Sequence, residues 1–258
     1  MGSKIAIVGY GYVGKALASL FNNAVIYDIE PEFSVNKDKV NKCDIAFVCV
    51  PTPCNKDGFC DISAVEEAVS WLETPIIVIK STVPPGTTES LRNKFMKNIL
   101  FSPEHIGETP FHPYKNMRNI NFIILGGPKK EASQVAQIYA HSLGPTIRCY
   151  FTDSTTAELS KYMANCFFAT KVIFCNEFFK IAEAIGVNYE ELREVWLADP
   201  RISRDHTMVF QDKPGFDGKC LPKDISALIN FSKSISVDVN LLKKVFEVNQ
   251  VKRKSSVK

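Results

Sequence analysis

The chain lacks an excess of charge of either sign: 31 Lys plus Arg stand against 28 Asp plus Glu, a formal net charge of +3 over 258 residues. That balance gives no basic stripe of the kind a nucleic-acid partner requires. The one dense basic run, Lys252-Arg253-Lys254, reads as a solvated tail. Long apolar runs are also lacking. None reaches the ~20 residues that cross a bilayer, and the Ile5 to Val8 run is too short, and ends too soon in glycine, for a signal peptide. A cytoplasmic protein with no membrane partner is therefore expected. The eight cysteines, at 43, 49, 54, 60, 149, 166, 175 and 220, are scattered and mostly set in apolar runs, as reduced thiols are. Cys49, Cys54 and Cys60 lack C-x-x-C pairing and a histidine partner. His105, His141 and His206 show no metal or triad spacing, and His112 reads as a surface residue with a substrate contact as the alternative, so no metal site is expected. Repeats and low-complexity tracts are absent.

What is present is enough apolar residue, 45%, for two modest domains with cores. Short β-branched runs recur at 24–27, 45–50, 76–79, 99–101 and 122–125, continuous rather than alternating, as in strands covered on both faces. Helical patterns lie between them at 61–72, 87–96 and 128–144. This predicts an α/β fold, a doubly wound Rossmann-type domain over residues 1–152. From Thr152 the strand runs give way to a segment from Thr155 to Ile185 with helical spacing and no Gly or Pro, followed by helical patterns at 189–197, 223–232 and 239–251. Residues 153–258 are thus expected to form an all-helical domain around a long central helix.

Three constellations carry chemistry. Lys4-Ile5-Ala6-Ile7-Val8 runs into Gly9-Tyr10-Gly11-Tyr12-Val13-Gly14 and then a helical segment, with Asp28 closing the next strand run. Glycines without side chains let backbone approach a pyrophosphate at a helix N-terminus, and a carboxylate at Asp28 accepts ribose hydroxyls while repelling a 2′-phosphate. NAD is the expected cofactor; a structural glycine turn is the plainer alternative. Lys161 and Asn165 lie four apart on the long helix and could aim an ammonium and an amide at one oxygen, though spacing alone describes a solvent-facing polar stripe better. In Gly215-Phe216-Asp217-Gly218-Lys219-Cys220-Leu221-Pro222-Lys223-Asp224 a thiol sits among glycines beside two lysines that favour its thiolate. A small core hydrophobe is the alternative for Cys220.

These blocks, with Val50-Pro51-Thr52-Pro53, Ser81-Thr82-Val83-Pro84-Pro85-Gly86-Thr87, Ser102-Pro103-Glu104, Glu158 through Asn165 and Asn176-Glu177, resemble in order the UDP-glucose/GDP-mannose 6-dehydrogenases, which oxidise a sugar-nucleotide alcohol to a carboxylate with NAD. The resemblance implies roles that spacing does not. Cys220 would be the nucleophile that holds the aldehyde as a thiohemiacetal and then a thioester. Glu104 would handle protons and hydrolysis, Lys161 would steady the oxyanion with Asn165 beside it, and Asp224 and Thr82 would organise the catalytic water. Gly9, Gly11, Tyr12, Val13, Gly14, Asp28, Thr82 and Glu108 would contact the cofactor. Glu104, Lys161, Asn165 and Gly215 would meet the nucleotide sugar, and Arg201 would reach that of a neighbouring subunit. The resemblance further implies a homodimer through the helical domain, for which Phe167, Phe168, Val172, Ile173, Phe178 and Phe179 offer an apolar face.

Two departures from the family pattern stand out. Family members continue into a second α/β domain that clamps the nucleotide, whereas this sequence ends at Lys258; the expectations are a fragment of a longer protein, a separate chain that supplies that domain, or a minimal enzyme with a smaller or different substrate. The segment from Glu30 to Cys43 is short and lacks the usual helical insertion. A single-step β-hydroxyacid dehydrogenase, which also pairs Lys and Asn on a long helix but has no use for Cys220, is the alternative enzyme. A non-catalytic NAD-binding partner is the alternative outside enzymes.

Overall fold

The computed structural model describes residues 3–55, 57–107, 112 and 114–255. Backbone contacts divide the chain into two compact units: residues up to 53 together with 60–161, and 54–59 together with 162 onward.

The first unit is built on seven strands, β1 (Ile5–Val8), β2 (Val25–Tyr27), β3 (Ile45–Val48), β4 (Ile76–Ile79), β5 (Ile99–Phe101), β6 (Phe122–Gly126) and β7 (Arg148–Thr152). They form one sheet in the order β2-β1-β3-β4-β5-β6-β7, parallel except between β5 and β6. Alternate residues of each strand serve opposite faces, because successive side chains point apart. Ala6, Val8, Ala46, Val48, Ile77 and Ile79 enter one core, and Ile7, Ile45, Phe47, Ile76, Val78 and Leu100 the other. Burial on both faces explains why these strands read as unbroken apolar runs.

Among the described residues six α-helices accompany the sheet: α1 (Tyr12–Leu20), α2 (Pro31–Ser34), α3 (Lys37–Val40), α4 (Ser63–Trp71), α5 (Thr87–Phe95) and α6 (Lys129–Leu143). The register pairs Val8 with Val48, Val48 with Ile79, and Ile79 with Phe101. The loops that begin at Gly9, Cys49, Lys80 and Ser102 therefore leave the sheet side by side. The strand order reverses between β1 and β3, and the crevice at the carboxyl ends of strands beside such a reversal is where this architecture takes ligands.

α7 (Ser154–Ala184) is the long helix expected from the sequence, and the unit boundary falls within it, between Lys161 and Tyr162. Asp153 starts it, accepting bonds from Thr156 N at 2.8 Å and Thr156 Oγ1 at 2.6 Å. Gly186, at φ +73°, ends it, and Val187 N returns to Ala182 O at 2.8 Å, satisfying a terminal carbonyl. The second unit adds α8 (Tyr189–Trp196), α9 (Leu221–Ser234) and α10 (Asn240–Ser255).

The structure departs from the sequence reading in three places. β7 is a strand that the apolar pattern does not announce: among the described residues it pairs with β6 alone, and Arg148, Tyr150 and Phe151 are exposed. The basic run near the end is no solvated tail but part of α10, with Lys252 buried and Arg253 ion-paired to Asp217. On α7, Val172 and Ile173 are buried; the exposed large apolar residues there are Leu159, Met163, Phe167, Phe174, Phe178 and Ile181.

Candidate active site

The turn after β1 is shaped by its glycines. Gly9 has φ +95°, and a Cβ there would stand 2.7 Å from the carbonyl of Cys49; a Cβ on Gly14 would collide with the carbonyl oxygen of Gly9. Gly11 differs, because a Cβ built on it meets nothing within 4 Å. Open space thus lies over the first turn of α1, which carries no side-chain cap and no acidic residue, so the helix dipole there favours an anion. Tyr12 donates its hydroxyl to Gly107 O at 2.6 Å, and Val13 packs into the core below. Asp28 follows β2, and its carboxylate accepts Tyr10 N at 2.5 Å and Glu30 N at 3.2 Å. A dinucleotide fits this set: glycine backbone for the diphosphate and a fixed carboxylate for the ribose.

Thr82 is half-buried in the loop after β4, where its carbonyl accepts Thr52 Oγ1 at 2.8 Å. Glu104 follows β5 and is buried. Its Oε1 accepts His105 N at 2.8 Å and Ile106 N at 2.9 Å; its Oε2 stands 3.3 Å from Lys80 Nζ, an ion-pair contact without hydrogen-bond geometry. Burial pushes the Glu104 carboxyl up, but the Lys80 charge and the two backbone N–H groups outweigh it and hold the group below the ordinary glutamate range. His105 is lowered as well, to about 3, first by burial and then by the charge of Lys161. Lys161, on α7, belongs to this unit.

In the second unit Cys220 is the N-cap residue of α9 and the one exposed thiol of the eight, none of which is in a disulfide. Asp224, in the first turn of the same helix, is buried and accepts Asn165 Nδ2 at 2.5 Å. Its other oxygen lies 2.7 Å from Lys223 Nζ, again an ion pair without hydrogen-bond geometry. Two buried amides hold the approach to the cysteine. Asn176 accepts Gly215 N at 3.1 Å, and Asn249 exchanges two bonds with the backbone of Phe216, at 2.7 and 3.0 Å. Gly215 has φ +85°, and a Cβ there would strike the Asn249 amide. A cavity of about 760 Å³ opens beside the loop, with Lys219, Lys223, Lys233, Lys243 and Phe246 in its walls. Arg201 is highly exposed and forked onto Asp199 of its own loop, with Nε at 3.0 Å and Nη2 at 2.5 Å.

The sequence-predicted residues therefore fall into two sets, Thr82, Glu104 and Lys161 in the first unit and Asn165, Arg201, Gly215, Cys220 and Asp224 in the second. Glu108 lies outside the described residues. Lys80, Asn176 and Asn249 also belong to these two sets, and no sequence signal marks them; the register of β4 and β5 is what brings Lys80 level with Ser102.

Residues 30–143 match the NAD binding domain of the UDP-glucose/GDP-mannose dehydrogenase family, and residues 155–251 match that family's central domain. The chain belongs to this family. NAD is the cofactor its first domain implies, in agreement with the turn around Gly11. The UDP-glucose 6-dehydrogenase of Rickettsia prowazekii is 32% identical over 235 residues, covering 87% of this chain and 53% of that protein. The chain spans about half the length of the curated relatives it matches first. Among solved structures, a UDP-glucose dehydrogenase from Pyrobaculum islandicum superposes with a TM-score of 0.86 at 25% identity, over 97% of this chain and 68% of that one. A 3-hydroxyisobutyrate dehydrogenase of Mycobacterium tuberculosis, at 16% identity, TM-score 0.71 and coverage of 96% and 92%, shares the fold.

Proposed function

We propose that this chain carries the NAD-dependent oxidation of a nucleotide sugar, UDP-glucose or a close relative, from the C6 alcohol to the carboxylate. The observation that carries the reading is the second unit's loop: an exposed Cys220 opening α9, with buried Asp224 one turn on and bonded to Asn165. A one-step alcohol oxidation has no use for that thiol.

Bound NAD supplies the hydride acceptor, once for each of two oxidations. Between them the Cys220 thiol adds to the aldehyde carbon, and the carbonyl oxygen becomes the hydroxyl of a thiohemiacetal. The second oxidation turns that into a thioester. Water attacks its carbonyl, the C–S bond breaks, and Cys220 returns with the acid as product. Lys161 and Asn165 stabilise the oxyanion at each tetrahedral stage, while Glu104 accepts the proton of the attacking water and Thr82 and Asp224 orient it. Gly215 contributes backbone to the sugar nucleotide. In a homodimer formed through the exposed face of α7, where Met163, Phe167 and Phe178 lie uncovered, Arg201 reaches the substrate of the other subunit. Among the described residues no helix is long and apolar enough to cross a membrane, which accords with action in the cytoplasm.

The test is a trap. With NAD and UDP-glucose, GDP-mannose or a UDP-N-acetyl sugar, acid quench of Glu104→Gln is expected to yield a peptide containing Cys220 with the sugar-nucleotide acyl mass attached. Absence of any adduct with all three sugars, in a variant that still binds NAD, contradicts the proposal.

A further inference from the structure

We infer that Lys80 is a positioning residue that keeps Glu104 ionised and fixed at the carboxyl edge of the sheet, so that Glu104 receives a proton from water and does not act as an acid toward the substrate. The role in turnover rests on the function proposed above; the ionisation itself does not.

Lys80 is the first residue after β4, and the register of β3, β4 and β5 brings it level with Ser102. It is almost wholly buried, 3% exposed. Its ammonium donates to Ser102 Oγ at 3.3 Å and to Pro103 O at 3.2 Å, and stands 3.3 Å from Glu104 Oε2. Ser102 and Pro103 immediately precede Glu104, so one cation ties the strand end, the turn and the carboxylate together. The opposite oxygen is held by His105 N and Ile106 N, which leaves the carboxyl little freedom to rotate.

Three buried neighbours of this pair are neutral near pH 7, and the charged neighbour is Lys161. Cys49, just after β3, is pushed up by burial; Tyr139, from α6, is pushed up to about 12 by burial; His105 is pushed down to about 3 by burial first, then by the charge of Lys161, with smaller pushes from Lys80 and His112. Lys80 is thus the cation in ion-pair contact with Glu104 among the described residues. Stability does not account for such a pair. Taking two charges out of water costs about what their attraction returns, and an apolar replacement of similar volume is commonly neutral or better. A carboxylate that must remain a base inside a buried turn does account for it.

The experiment uses the full chain with 13C-labelled glutamate carboxyls, the Glu104 resonance being assigned by its loss in Glu104→Gln. In the unmodified protein Glu104 is expected to be still more than half ionised at about pH 4.3, the ordinary midpoint for glutamate. Lys80→Met should move the midpoint above that value, by about one pH unit or more, since burial then acts unopposed; Lys80→Arg should keep it low. The acid limb of kcat/KM should follow the same shift. A Glu104 midpoint at or above about 4.3 in the unmodified protein overturns the inference even if no variant folds, and so does an unmoved midpoint in folded Lys80→Met. A shifted midpoint with no NAD-linked turnover on any nucleotide sugar leaves Lys80's role intact and overturns the proposed function instead.

Discussion

Asn165 on α7 and Asp224 on α9, 59 residues apart in sequence, meet in a 2.5 Å hydrogen bond from Nδ2 to Oδ2, and both are buried. The bond fixes the first turn of the helix that Cys220 opens. Replacing Asp224 by Ala strands the Asn165 amide away from water, at a cost of about 1–3 kcal/mol. Calorimetry should therefore show a lower melting temperature together with loss of turnover. A variant that melts like the unmodified protein would show that the pair bears no structural load.

Gly11 and Gly14 should behave differently. A side chain at Gly14 collides with Gly9 O, so Gly14→Val is expected to damage folding as well as cofactor binding. A Cβ at Gly11 meets nothing within 4 Å and would stand in the space above α1 that a diphosphate needs. Gly11→Val should melt normally and bind NAD at least about tenfold more weakly, a loss of about 1.4 kcal/mol by titration calorimetry. Equal affinity would remove the turn from the cofactor site.

Thiol labelling should be selective. Burial raises Cys43, Cys49, Cys54, Cys149, Cys166 and Cys175, and only Cys220 is exposed. One equivalent of iodoacetamide at pH 7.5, followed by peptide mapping, is expected to find the label on Cys220, and bound substrate should protect it. Labelling spread evenly over several thiols contradicts this.

His105 gives a pH dependence of defined sign. Its folded value of about 3 lies below its ordinary 6.5, so between those limits the unfolded chain binds the extra proton. Stability is complete above pH 6.5 and falls as the solution is acidified toward pH 3, by at most about 1.4 kcal/mol per pH unit from this group. His105→Gln should lose less melting temperature between pH 7 and pH 5 than the unmodified protein. Parallel losses would mean that His105 does not titrate in that window.

The central strands were legible because they are buried on both faces: Ile45 to Val48 and Ile76 to Ile79 cannot be read as amphipathic elements. β7 was not, because an edge strand with Arg148, Tyr150 and Phe151 exposed presents no apolar run. α2 and α3 are single turns, shorter than any helical period can reveal. The glycine turn and the cysteine loop could be found because backbone geometry restricts the residues allowed there. Lys80 could not, since a lysine after a strand ordinarily reaches solvent; only the level ends of β4 and β5 place it under Glu104. Of the apolar residues read on α7, Phe167 and Phe178 are exposed while Val172 and Ile173 are buried, because helical spacing does not tell which stripe neighbouring elements cover.

The most direct test of the account is the ratio of NADH formed to sugar consumed, measured with purified protein, NAD and each candidate nucleotide sugar, with Cys220→Ser alongside. Two NADH per sugar, with the acid as product and no acid from Cys220→Ser, is the predicted result. One NADH per sugar, unaffected by Cys220→Ser, would contradict it and assign the chain to single-step alcohol oxidation.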